Sequence, residues 1–90
     1  MNRKLTLDKL KAISNEDRFQ IMQILSRRSR ATPNSDLFDT LNLAQSNLSH
    51  HLGVLKDSGW IKDEKVGRQM FYRMTDKSHF KSTKGKLEIG

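Results

Sequence analysis

Cysteine is absent from the 90-residue chain. Its absence excludes disulfides, thiolate metal sites and thiol catalysis, and it suits a reducing interior. No apolar run approaches the roughly 20 residues that span a bilayer, and the opening "MNRKLTLDKLK" has no apolar stretch of the signal-peptide kind. A soluble, cytoplasmic protein is therefore expected. There is a single proline, in "ATPN" at position 33, and it marks a break in the chain. Hydrophobic residues make up only 34% and charged residues 30%, so one small domain is expected, near the lower end of what buries a self-sufficient core. A chain of this kind often shares its core with a second copy, and a homodimer is the expected assembly.

Acidic residues are in deficit: 10 against 17 Lys and Arg, for a net charge of +7. An excess of this size favours a polyanionic partner, because each phosphate neutralised releases a condensed counterion. The plainer reading is a merely soluble basic surface. The distribution separates the two, since residues 31–59 carry one Lys against three Asp while both ends of the chain are basic. That division is expected where flanking cations hold phosphates and uncharged side chains read bases.

Leu7, Leu10 and Ile13 recur at three-residue steps and predict a short helix, with Thr6 as its N-cap. "SNED" from Ser14 has the pattern of a capping box opening a second helix, which buries Phe19, Ile21, Met22, Ile24 and Leu25. "SDLFDTLN" reads as a third helix burying Leu37, Phe38 and Leu41. A tight connection leads to a fourth, about 45–58, stopped by Gly59. Two helices joined this closely, the second presenting polar groups, form a helix-turn-helix. Residues 61–74 then alternate as two strands around "VGR", a hairpin whose tip offers Lys65, Arg68 and Gln69. A solvated basic turn is the alternative. The basic tail, 77–90, has one or two helical turns expected around Phe80 and frayed residues from Gly85 onward.

At about 100° per residue, Leu48, Leu52 and Leu55 of the fourth helix form one narrow core-facing stripe. Ser46, His50, Gly53 and Asp57 fall opposite, flanked by Ser49 and Asn47. Gly53 is costly inside a helix, by roughly 1 kcal/mol relative to Ala; on an open face it removes bulk where a groove wall or phosphate backbone approaches. His51 borders the leucines and reads as a packing residue, while His50 is free to touch a partner. The pair does not suggest a metal site, because neighbouring helical residues diverge and neither has a His or acid four positions away. Catalysis is not supported either: His50 and Asp57 share a face but lie about 10 Å apart along the axis, with no nucleophile or cofactor loop beside them.

With these elements in place, the chain resembles the ArsR/SmtB-type winged helix-turn-helix repressors. "LKAISNEDRFQIMQIL" is similar to the family's opening, "LSHHLGVLKDSGWI" to its reading helix and "KVGRQMFYRM" to its wing. The resemblance covers residues 9 to 75. It implies a mainly α fold with a β-hairpin wing, and a winged helix-turn-helix domain over 1–76. It also implies a twofold dimer built by the first and C-terminal helices, here through Leu7, Leu10 and Phe80. Gln45, Ser46, Asn47, Ser49 and His50 match the groove-facing positions, and Lys65, Gly67, Arg68 and Gln69 match the wing tip. The family's metal sites are not matched. "SDLFDTL" has no cysteine pair, Ser78 stands where a first His belongs, and His79 is one position late, so neither a metal nor a cofactor is expected. Ala44 replaces the usual Ser cap, a loss of about 1 kcal/mol.

The expected function is sequence-specific recognition of double-stranded DNA by a dimeric repressor, with 45–58 in the major groove and 61–74 on the adjacent backbone or minor groove. A nucleoid-associated, cytoplasmic location follows. Gln45 and Asn47 carry the donor–acceptor pair that suits adenine. The alternative is a winged-helix protein-interaction module with only non-specific DNA affinity.

Overall fold

The computed structural model describes residues 6–89, with side chains described to Lys84. Five helices and three short strands follow in the order α1 (Leu7–Ile13), α2 (Glu16–Ser26), β1 (Thr32–Pro33), α3 (Asn34–Thr40), α4 (Gln45–Asp57), β2 (Ile61–Val66), β3 (Gln69–Met74) and α5 (Lys77–Ile89). The strands form an antiparallel sheet in the order β1-β3-β2. No described helix is long and apolar enough to cross a membrane.

Thr6 caps α1 as expected, its Oγ1 accepting the Lys9 N–H at 3.1 Å. The cap of α2 lies one residue later than "SNED" suggested. Ser14 closes α1 instead, its hydroxyl donating to the Leu10 carbonyl at 2.7 Å. Asn15, in extended backbone, accepts the Arg18 N–H at 3.0 Å. Two helices separated by two residues leave Ser14 within reach of the first helix's last carbonyls, and the amide of Asn15 takes over the second.

The end of α4 is a Schellman motif. Gly59 has φ +91°, its N–H bonds the Lys56 carbonyl, and the Trp60 N–H bonds the Leu55 carbonyl, each at 3.0 Å. Only a residue tolerant of the left-handed region closes a helix this way. The turn drops Trp60 into the core beside Leu55, and there its indole Nε1–H donates to the Lys9 carbonyl of α1 at 2.8 Å. Thr75 donates its hydroxyl to the Gly59 carbonyl at 2.8 Å, tying the end of β3 to the same turn.

The core gathers Ile13, Ile21, Met22, Leu25, Leu37, Leu41, Leu48, Leu52, Leu55, Trp60, Ile61 and Phe80. Phe19 and Ile24 are only partly buried at its margin. Two residues depart from the sequence-based expectation. Phe38 is 43% exposed, because α3 buries the Leu37–Leu41 face and Phe38 lies one helical step away from it. Phe80, expected on a dimer surface, is 1% exposed inside its own chain, with its ring edge-on to Trp60 at 6.0 Å and 5.7 Å from Phe19. The C-terminal helix packs its first turns onto α2 and Trp60, and this consumes the aromatic ring. That helix runs to Ile89, beyond the one or two turns anticipated.

The strand β1 was not anticipated. Thr32 pairs with Tyr72 and Pro33 with Phe71. Its position at the sheet edge is where proline's missing N–H costs least.

Candidate nucleic-acid interface

The leucine stripe predicted for α4 is buried: Leu48 and Leu55 have no exposed surface and Leu52 is 3% exposed. Gln45, Ser46, Asn47, Ser49 and His50 are all exposed on the other side. A Cβ built on Gly53 meets nothing within 4 Å, so no packing inside the chain requires glycine there. The N-terminus of α4 has no side-chain cap, as Ala44 implied.

Gln45 is held in place. Its Oε1 accepts from Asn34 Nδ2 at 3.4 Å and its Nε2 donates to Ser49 Oγ at 3.3 Å. These long bonds leave the amide able to exchange partners, while Asn34 and Ser49 limit its rotamers. Ser46, Asn47 and His50 have no side-chain hydrogen bond to the described residues. Asn34 was not singled out from the sequence, where it reads as part of the break at Pro33. Its reach to Gln45 follows from the tight α3–α4 turn, which no local pattern encodes.

His51 is a structural hub. Its Nδ1 lies 3.1 Å from Arg18 Nη1, and its Nε2 faces Asp17 Oδ2 at 3.6 Å. Arg18 in turn donates from Nε to the Ala12 carbonyl at 2.6 Å. Guanidinium is always a donor, so Nδ1 accepts and the imidazole is neutral in this arrangement. Burial, then the Arg18 charge, hold the His51 pKa below its ordinary value, with Asp17 opposing. The network links α4 to α2 and to the end of α1, so His51 fixes the tilt of the exposed face without occupying it. Its packing role is as expected, with both ring nitrogens facing partners.

The wing is the β2–β3 hairpin. Val66 pairs with Gln69, leaving Gly67 and Arg68 as the two turn residues. Gly67 has φ +62° and Arg68 does not have positive φ. A two-residue hairpin with glycine first matches the twist of its strands. Lys65, Gly67, Arg68 and Gln69 are all exposed, and Val66 between them is 56% exposed. At its other end the hairpin is tied to α4 by Lys56 Nζ and Asp63 Oδ2, 3.0 Å apart. That pair raises the Lys56 pKa, through the hydrogen bond first. An exposed ion pair adds little stability; its geometric effect is to hold the base of the wing beside the helix.

Helix and wing meet across an open groove of about 420 Å³, whose lining includes Asn34, Gln45, Ser49, Arg68, Gln69 and Tyr72. Four of the predicted contact residues, Gln45, Ser49, Arg68 and Gln69, are thereby brought together. Ser46, Asn47 and His50 continue the same helix beyond the groove, and Lys65 and Gly67 continue the tip. Burial raises the Tyr72 pKa, with Asp63 second, which keeps the phenol neutral. Of the three residues expected at a dimer contact, Leu7 is 66% exposed, Leu10 is half-buried and Phe80 is internal. Among the described residues, no three His, Asp or Glu side chains converge as a metal site would need.

Comparison with known proteins fits this geometry. The sequence model described as bacterial regulatory protein, arsR family, matches residues 15–63. An uncharacterised HTH-type transcriptional regulator of Bacillus subtilis, YbzH, is 31% identical over 80% of this chain and 85% of its own length. The arsenical resistance operon repressor of the same organism is 35% identical over 76% of this chain, which spans 64% of that repressor. Among solved structures, HlyU from Vibrio cholerae superposes with a TM-score of 0.77 at 28% identity, covering 92% of this chain and 88% of HlyU. With an exposed polar helix beside a glycine-turned wing, and with these relatives, the chain belongs to the ArsR family of bacterial regulatory proteins, DNA-binding transcriptional regulators built on a winged helix-turn-helix.

Proposed function

We propose that the protein is a repressor that binds an inverted repeat as a homodimer, placing α4 in the major groove and the wing on the flanking backbone or minor groove. The observation that carries this reading is the groove shared by Gln45, Ser49, Arg68 and Gln69. It sets neutral hydrogen-bonding groups and a guanidinium along one open face, the two kinds of group that read base edges and hold phosphates. Gln45 and Asn47 read base edges, adenine being the base their paired donor and acceptor suit. Ser46, Ser49 and His50 contact bases or phosphates, and Lys65, Arg68 and Gln69 hold the backbone while Gly67 keeps the turn tight.

Dimerisation is assigned to α1, where Leu7 leaves a large apolar side chain in solvent, with Leu10 beside it and α5 alongside. Phe80 supports that surface from within the core. Twofold symmetry sets the half-site centres about one helical turn, roughly 34 Å, apart. Repressor action is the role named for the arsenical resistance relatives, and a cytoplasmic, nucleoid-associated location goes with it. No metal or cofactor enters this reading.

Footprinting on genomic fragments tests it. Protection of two symmetry-related half-sites, surviving non-specific competitor, is the expected result. Binding that competitor abolishes equally on every fragment would leave only a protein-interaction role for the fold. The Asn47→Ala variant is expected to discriminate less between sites; unchanged discrimination would remove Asn47 from the reading set.

A further inference from the structure

The wing sheet has two faces, and the interface described above uses one of them. Met70 and Tyr72 line the groove beside α4. Phe71 and Arg73 alternate to the other side, as do their register partners Glu64 and Lys62. On that back face lies a second cleft, of about 520 Å³, where the end of α2 and its following loop meet the sheet and the first residue of α5. Its walls carry Arg28, Arg30, Arg73 and Lys77 against a single carboxylate, Glu64, and the buried Leu25 and Met74 lie at its base.

Two of these cations are already engaged. Arg28 pairs with Asp36 at 3.3 Å, and the Lys77 ammonium donates to the Arg28 carbonyl. The side chains of Arg30 and Arg73 have no hydrogen bond or ion pair to the described residues. They come from segments far apart in sequence and are brought to one concavity by the β1–β3 pairing. Like charges gathered in a concave site repel one another and raise the local concentration of anions. Planar guanidinium groups are the side chains that grip phosphate by paired N–H bonds.

We propose that this cleft binds a small phosphate-bearing anion, held by Arg30 and Arg73 with Lys77 and Arg28 at the rim. The volume lies in the range of small-molecule sites. Its position behind the sheet, away from the α4 groove, sets it apart from the duplex contact. The cleft touches the α2–β1 loop, the base of the wing and the start of α5 together, so an occupant bridges the elements whose relative placement orients the wing.

Isothermal titration of the full chain with inorganic pyrophosphate tests the site. Saturable binding with one anion per chain is expected, weakened about tenfold or more, roughly one charge-assisted contact, by Arg30→Gln or Arg73→Gln. Arg68→Gln, on the wing tip, is expected to bind pyrophosphate as the parent does. Heat without saturation, or an equal loss in the Arg68 and Arg73 variants, would overturn the proposal by reducing it to general charge screening. A gel shift with the same variants separates the other occupant: if Arg73→Gln loses as much duplex affinity as Arg68→Gln, the cleft is part of the DNA contact and the small-anion site is wrong. The proposal does not depend on which DNA sequence α4 reads, and failed footprinting would leave the titration result standing.

Discussion

Replacing Gly53 by Ala asks why an apparently unfavourable residue sits in the middle of α4. Glycine inside a helix costs roughly 0.5–1 kcal/mol relative to alanine, because the unfolded chain has more backbone freedom to lose. The added methyl has open space, with nothing within 4 Å of the built Cβ, and no positive φ is required. The substitution is therefore expected to stabilise the protein by about that amount, raising Tm by about 4–8 °C per kcal/mol for a domain of this size. Urea and thermal unfolding at matched protein concentration measure it. The same variant should bind its operator more weakly, since the methyl enters the face assigned to the duplex. A destabilised Gly53→Ala would refute the structural premise that the position is open. A stabilised variant with unchanged operator affinity would refute the claim that the absent side chain makes room for DNA.

Arg68→Ala is expected to weaken binding to all DNA sequences about equally and to flatten the dependence of log affinity on log salt by roughly one phosphate contact; loss at one sequence alone would instead make Arg68 a base reader. The depressed pKa of His51 gives a pH prediction. Below its ordinary value near 6.5 the unfolded chain takes up a proton that the folded chain refuses, so stability rises with pH between the folded and unfolded pKa values and is lost as pH falls through that window. Urea midpoints are expected to drop from pH 7.5 towards 5.5, about one unit either side of that reference, and His51→Gln should flatten the drop; an identical pH profile in the variant would move the effect to other groups. Phe80→Ala should cost about 3–5 kcal/mol, a large share of the stability of a small domain, whatever the protein concentration. A well-folded variant that merely dissociated on dilution would return Phe80 to a dimer surface.

Local patterns carried α4 and the hairpin. The buried edge of α4 is Leu48, Leu52 and Leu55, as their spacing implied, because a helix repeats every 3.6 residues whatever surrounds it. Gly59 and Gly67 marked their turns for a similar reason: both conformations lie in a region that side chains disfavour. Local sequence was a poorer guide wherever two neighbours competed for one role. Ser14 and Asn15 could each have capped α2, and the proximity of α1 decided between them. Hydrophobicity alone buried Phe38, but the direction in which α3 docks left it in the groove.

The sequence by itself determined which faces are apolar, where the chain turns, and that a polar, nearly neutral helix sits in an otherwise basic chain, since all of these are read from residue types and their local spacing. Only the tertiary structure decided that Phe80 belongs to the core, that Thr32–Pro33 completes the sheet, that Asn34 steadies Gln45, and that Arg30 and Arg73 share a cleft behind the wing. Those outcomes join segments up to 61 residues apart, Phe19 and Phe80 being the example. Contacts at such separation are set by how the elements pack against one another, and the periodicity of any single element carries no record of that packing.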